Sequence, residues 1–485
     1  MHPLRTPGMQ FMLFILMITI YRMFMLYTID PNVYIDEAYY WVWSQNFDWG
    51  YYSKPPMIAW VISLATSLFG DSSLVMKSIS IIIYPLTATV IYLTGKTLFD
   101  EKTALYAALL FFTTPAVSLS SLIISTDVVL LLFWSLTLYT FILAIQSNTL
   151  FFWILAGIFG GLGLLSKYNM ILFVISAFLY LGFSPLRRKI LTNRYFYLSL
   201  VIALVVFLPN LIWNYNHQFI SFVHLHEISQ VEKELFHFDK LFEFLGAQFG
   251  VFGPVSFGVL LYLFAKTPKY KNDDRFMLLF WFTALFLAVI SLQAFLSRAF
   301  ANWAAPTYVA APLLVAYFLV QHQKTKLFKW AIAINILLMA TLYHYEPIMK
   351  AVGVELSKKR DPFVRIKGWK EFGEKITEVY QNYPDHILLG SSRKEISEMI
   401  YYVEPHPFDT KIFNPGHRIQ NYYHQTQNLN DHIGENFIYV SRRRSIKGMS
   451  KYFEEVHYIK HIEIKIYNDY SRNYYIFELK DFKGY

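Results

Sequence analysis

The 485-residue chain contains no cysteine, and only 16% of its residues are charged. The first absence excludes disulfides and thiolate metal sites. The second falls well short of the roughly 25% usual in soluble domains, and it is uneven. Residues 1–346 carry 21 Lys/Arg and 16 Asp/Glu, whereas residues 347–485 carry 22 and 18. That contrast predicts an all-α polytopic membrane domain over 1–346 and a small water-soluble α/β domain over 347–485. No small-residue cleavage site follows the first apolar run, so the N-terminus is expected to stay as a signal anchor. No internal repeat of the kind found in transporters is visible. Aromatic residues, at 19%, are plentiful.

A helix crossing the hydrocarbon layer needs about 20 apolar residues. Runs near 9–28, 78–98, 103–122, 126–145, 151–166, 168–184, 196–214, 246–265, 276–295, 301–320 and 328–345 predict about eleven spans. The formal charge of +9 is not a nucleic-acid signature, because most of the excess lies in short connections between these runs. With the N-terminus inside, 14 basic residues from Arg5 to Lys329 fall on the cytoplasmic side. Six fall outside: Lys54, Lys77, Lys167, Lys233, Lys240 and Arg298. The asymmetry orients the protein. It also places the C-terminal domain, the first loop and the junctions holding Asp127, Lys167 and Arg298 on the outer face.

The first external loop reads YIDEAYYWVWSQNFDWGYYSKPPMIAW over 34–60. Its first part has helical spacing, with Ile35, Tyr39, Val42 and Trp43 able to form one face. Such a helix would lie along the membrane with its rings at headgroup level. Pro55 and Pro56 interrupt the chain, begin a second surface helix near 57–68 and fix Lys54 in a short loop. Asp36 and Glu37 suit a helix N-terminus, and Lys54 suits a headgroup anchor. Equally, a carboxylate at this boundary can take a proton from an acceptor, and a lysine can neutralise a departing phosphate.

This stretch resembles the first external loop of the bacterial dolichyl-phosphate-mannose protein mannosyltransferase-like group, membrane glycosyltransferases of the GT-C fold that include the lipid A aminoarabinose transferase. The resemblance continues in order through IISTDVVLLLFW (123–134), GLLSKYNMILF (163–173), FLPNLIWNYNHQFISF (207–222), ANWAAPTYVAA (301–311) and DPFVRIKGWKEF (361–372). It implies that Asp36, followed by Glu37, is the acid that serves as base or aligns the acceptor. It implies that Asp127 is the second catalytic acid and that Lys54 lies near the lipid phosphate. Ser53 departs from the acidic residue often found in its place.

Other polar residues carry two readings each. Arg22, inside the first span, either pairs with phosphate or an intramembrane partner, or snorkels outward. Lys167 is a helix end or a donor-phosphate ligand, and Arg298 a headgroup contact or a phosphate clamp. Tyr39, Tyr40, Tyr52 and Asn302 are candidates to hold sugar or acceptor. In the loop expected over 215–245, His224, His226 and Glu227 form a weak divalent-ion pattern, although solvated loop histidines are the ordinary case. GLGLLSK lacks phosphate-loop spacing and suits close helix packing. In the tail, HILLG, KIFN, FIYVS and YIFEL read as strands, GWKEFGEKITEVY and 393–403 as helices, and SRRRS as an exposed basic edge.

The expected activity is inverting transfer of a sugar from a polyprenyl-phosphate donor to lipid A, lipopolysaccharide core or another envelope glycan. The enzyme would sit in the bacterial inner membrane with its site facing the periplasm. Rival readings are transfer to exported proteins, and transport or flipping of lipid-linked sugars.

Overall fold

The computed structural model describes residues 6–228 and 236–485. Arg5 and Lys233, both used in the charge argument, lie outside them. The chain forms two compact units. One comprises Met1–Ile29, Lys54–Val61 and Leu74–His344; the other comprises Asp30–Ser53, Ile62–Ser73 and Tyr345–Tyr485.

The first unit is helical. Among the described residues six helices are long and apolar enough to cross a membrane: Pro7–Ile29, Ser73–Leu98, Thr126–Ser147, Arg194–Asn216, Asp274–Leu296 and Thr325–Tyr343. Five apolar helices are shorter: Met57–Phe69, Leu150–Ser166, Tyr168–Phe183, Pro254–Ala265 and Thr307–Gln321. Three expected spans differ from the sequence reading. The run 103–122 breaks into Glu101–Phe112 and Pro115–Ser120, because Pro115 has no amide hydrogen and disfavours helix at the residue before it. The run 246–265 breaks at Gly253, whose φ of 90° no side-chain-bearing residue adopts easily, and Pro254 starts the next helix. The run 301–320 opens as a 3-10 turn, Ala301–Ala304, before the helix proper.

Close packing explains the glycines of this unit. A Cβ on Gly157 would meet the Ser199 carbonyl oxygen at 2.5 Å, and one on Gly161 would meet Val206 at the same distance. The helices Leu150–Ser166 and Arg194–Asn216 therefore approach backbone to backbone through small residues four apart.

The second unit is built on a five-stranded sheet of order β2-β1-β3-β5-β4. Its strands are β1 (Ile387–Gly390), β2 (Lys411–Ile412), β3 (Phe437–Ser441), β4 (Phe453–Tyr467) and β5 (Tyr470–Phe482). β1 pairs in parallel with β2 and β3, while β5 runs antiparallel to β3 and β4. The helix Arg393–Tyr402 is the crossover between β1 and β2, as a parallel pair requires. Leu389, Phe437, Phe453, Leu479 and Phe482 form the apolar centre on one face of the sheet.

The helix Ile35–Ser44 belongs to this unit. Glu37 Oε2 accepts a hydrogen bond from the Tyr34 amide at 2.7 Å and closes its first turn. Trp41 packs edge-on against Tyr401 at 5.0 Å, and its indole donates to Asp71 at 2.9 Å. Trp43 stacks on Tyr51 at 4.8 Å. Tyr39, Trp41 and Trp43 are buried. These rings make the helix's packing face within the unit.

Candidate active site

In the helical unit three predicted residues come together. Asp127 lies in the first turn of Thr126–Ser147, where the helix dipole favours a negative charge. Lys167 follows Leu150–Ser166 in an extended conformation, which breaks the helix and turns the side chain toward Asp127. Its Nζ lies 2.6 Å from Asp127 Oδ1. Asn302, in the 3-10 turn Ala301–Ala304, donates from Nδ2 to Asp127 Oδ2 at 3.2 Å. Both carboxylate oxygens are thus engaged, one by a cation and one by a neutral donor. The carboxylate retains further lone pairs, so the cluster can still accept from sugar hydroxyls. Beside Lys167, the Tyr168 ring stacks on Phe222 at 4.8 Å and its hydroxyl accepts from Asn214 at 3.2 Å.

The other predicted cations of this unit have different settings. Lys54 is half-buried ahead of Pro55–Pro56. Arg298 is exposed, its guanidinium 5.9 Å from the Phe300 ring centre. Arg22 is 1% exposed, so it does not snorkel. It donates to the Phe112 carbonyl at 2.7 Å and to Ser118 Oγ at 3.2 Å, and lies 4.3 Å over the Phe112 ring. The break before Pro115 leaves carbonyls at the end of Glu101–Phe112 without helical partners, and a cation is the natural cap for them. Lys77, read from sequence as a loop charge, is also buried and donates to the Leu122 carbonyl at 3.4 Å. Both are interior cations answering to a neighbouring carbonyl, a partner no local sequence pattern indicates.

The expected loop 215–245 is partly helical. His224 and His226 lie on Ile220–Ile228, where residues two apart point away from each other. Among the described residues no three His, Asp or Glu side chains group closely enough to hold a metal ion.

In the sheet-bearing unit Asp36 and Glu37 separate in role despite adjacency. Glu37 is fully buried and closes its own helix. Asp36 is 41% exposed and forms an ion pair with Arg393, Oδ1 to Nη2 at 2.9 Å. Burial works against the Arg393 charge, but Asp36 and the hydroxyls of Tyr39 and Tyr40 outweigh it and hold its pKa above the ordinary arginine value. The guanidinium also lies 4.7 Å from the Tyr39 ring centre. The Tyr39 hydroxyl accepts from the Tyr422 amide at 2.7 Å. Tyr40 and Tyr52 are buried as well, at 7% and 3%. Sequence reasoning missed Arg393. Its only local signal was Ser392, a helix-capping type ahead of an amphipathic run. Arg442 of the basic SRRRS run pairs with Glu395 at 2.6 Å.

An apolar multi-span unit, a sheet-bearing unit that takes in the first loop, and an acid–cation–amide cluster at helix ends define a membrane glycosyltransferase of the GT-C class. Residues 53–213 match the family described as dolichyl-phosphate-mannose-protein mannosyltransferase. The chain is 30% identical over 420 residues to the lipid A galacturonosyltransferase RgtD of Rhizobium johnstonii, across 85% of this chain and 87% of that protein. A shorter match, 31% over 188 residues, covers 37% of this chain and 36% of the lipopolysaccharide core galacturonosyltransferase RgtA of the same organism. In fold it resembles ArnT from Cupriavidus metallidurans bound to undecaprenyl phosphate, with a TM-score of 0.64 and 12% identity over 97% of each chain. The chain belongs to the membrane glycosyltransferase family that contains RgtD. It is a multi-pass bacterial inner-membrane glycosyltransferase.

Proposed function

We propose that the enzyme transfers a uronic acid, galacturonate, from a polyprenyl-phosphate carrier to lipid A at the periplasmic face of the inner membrane. The observation that carries this reading is the 30% identity to a lipid A galacturonosyltransferase over 85% of the chain. The order of resembling segments through the membrane domain supports the reaction class, sugar transfer from a lipid-phosphate carrier, and not the identity of the sugar or acceptor.

The reaction is a single displacement with inversion. An acceptor hydroxyl oxygen bonds to the anomeric carbon while the bond from that carbon to the carrier phosphate breaks, and the electron pair leaves on the phosphate oxygen. Asp36 receives the acceptor's proton or aligns its hydroxyl. Lys54 and Arg298 neutralise the charge that develops on the leaving phosphate. Asp127, with Asn302 and Lys167, orients the sugar. Glu37 and Tyr39 hold the helix that carries Asp36, and the buried Arg22 maintains the broken helix beside it in the span bundle. The C-terminal residues 347–485 face the periplasm.

The test is lipid A mass spectrometry in a strain lacking the gene and in one carrying it. A gain of one hexuronic acid residue per lipid A, present with the wild-type chain and strongly reduced with Asp36→Asn, is expected. An unchanged lipid A with newly glycosylated exported proteins would reassign the acceptor. Sugar transfer by the purified protein in detergent, where no transport is measurable, separates the enzyme from a flippase.

A further inference from the structure

We infer that Arg393, from the C-terminal part of the chain, is the positioning residue for Asp36. The inference rests on the reading of Asp36 as the acid that engages the acceptor.

Arg393 is the first residue of the helix Arg393–Tyr402, with Ser392 as its cap. A cation at a helix N-terminus is disfavoured by the backbone dipole, so this placement does nothing for its own helix. Compensation comes from Asp36, itself in the first turn of Ile35–Ser44. The two helices pack together, with Tyr401 against Trp41. The Arg393 guanidinium is fixed from a second side by the Tyr39 ring, three residues beyond Asp36. Tyr39 is held in turn by the Tyr422 amide and by the neighbouring Tyr423 ring at 5.4 Å. Tyr423 hydrogen-bonds Ser397 at 2.9 Å, one turn along the Arg393 helix. The circuit from Arg393 through Tyr39 and Tyr423 back to Ser397 closes within one unit.

What this circuit leaves open is the chemically useful atom. Arg393 engages Asp36 Oδ1, and among the described residues no donor reaches Oδ2. Both side chains keep about two fifths of their surface exposed, 40% for Arg393 and 41% for Asp36. A carboxylate held by one oxygen and presenting the other is arranged to meet an incoming hydroxyl. Arg393 does not touch the reacting atoms; it sets where Asp36 points.

The experiment measures transfer of uronic acid from polyprenyl-phosphate galacturonate to lipid A by the purified full chain. The variants are Arg393→Ala, Arg393→Lys and Asp36→Asn, singly and Arg393→Ala combined with Asp36→Asn. Loss of orientation predicts a kcat about 100-fold lower in Arg393→Ala, with the KM for lipid A changed far less. Arg393→Lys should recover most of the rate, and millimolar guanidinium should partly restore Arg393→Ala. In the Asp36→Asn background Arg393→Ala should cost nothing further. A wild-type kcat in Arg393→Ala would overturn the inference. So would a deficit, in protein of normal size-exclusion profile, that neither lysine nor guanidinium relieves, or one that multiplies fully with Asp36→Asn. Wild-type activity in Asp36→Asn alone would instead remove the underlying role of Asp36, a failure seen without any change at Arg393.

Discussion

Lys167 Nζ lies 2.6 Å from Asp127 Oδ1, with the two side chains only 13% and 12% exposed. Removing one partner of so enclosed a pair leaves an uncompensated charge, which costs about 3 kcal/mol or more. Asp127→Asn and Lys167→Met should each lower the thermal midpoint in detergent. The double variant should be less destabilised than the sum by about 1–3 kcal/mol. Tryptophan fluorescence melting measures this, and simple additivity would show that the two residues do not depend on each other.

Asn302 makes the cluster sensitive to charge as well as shape. Its Nδ2 is 3.2 Å from Asp127 Oδ2. Asn302→Ala removes a neutral donor, worth about 1 kcal/mol. Asn302→Asp puts a second carboxylate in the same place, and like charges at that distance resist joint ionisation. Sugar transfer should therefore fall further in Asn302→Asp than in Asn302→Ala. Equal rates in the two would mean that the amide's donation to Asp127 is immaterial.

Which of these features could be read in advance follows from the range of the interaction. Runs of apolar residues report their own burial, so most spans and four of the tail's strands were legible, whereas the largely exposed β4 was not. The breaks at Thr113 and Gly253 were less so, because an average over some twenty residues smooths across a single Pro or Gly. Asp127, Lys167 and Asn302 were each picked out, but not their mutual neutralisation, since they lie 40 and 175 positions apart. Arg22 appeared free to snorkel because the carbonyl it caps belongs to a helix 90 residues away. Arg393 sat outside the domain in which chemistry was sought. The helix in segment 30–53 was legible from its spacing, but not that it belongs to the sheet-bearing unit.

Helix contact through glycine gives a prediction with an internal control. A methyl group at Gly161 would meet Val206 Cβ at 2.5 Å, while one at Gly182 would meet nothing within 4 Å. Gly161→Ala should destabilise the helical unit by about 1–3 kcal/mol through overpacking. Gly182→Ala, near the end of Ile171–Phe183, should be neutral or stabilising by up to about 1 kcal/mol from helix propensity. Melting curves that fall alike for both would put the cost in glycine's loss itself rather than in the contact.

Lys394 supplies a pH-dependent prediction. Burial first, and then the like charges of Arg442 and Arg472, bring its pKa down to about 8, against the partial support of Glu395 and Glu398. The unfolded chain keeps the ordinary value near 10.4. Between these two values the unfolded state binds more protons than the folded state, so this group's contribution to stability rises with pH across that window. Below pH 8 both states are protonated and the full penalty of the confined charge is present. Replacement by Lys394→Gln should therefore raise the thermal midpoint at pH 7, by an amount equivalent to about 1 kcal/mol once solvent screening of this half-exposed group is allowed for. The advantage over wild type should shrink toward zero as pH approaches 10. A difference between the two proteins that stays constant from pH 7 to 10 would show that the lysine's charge is not what the folded state resists.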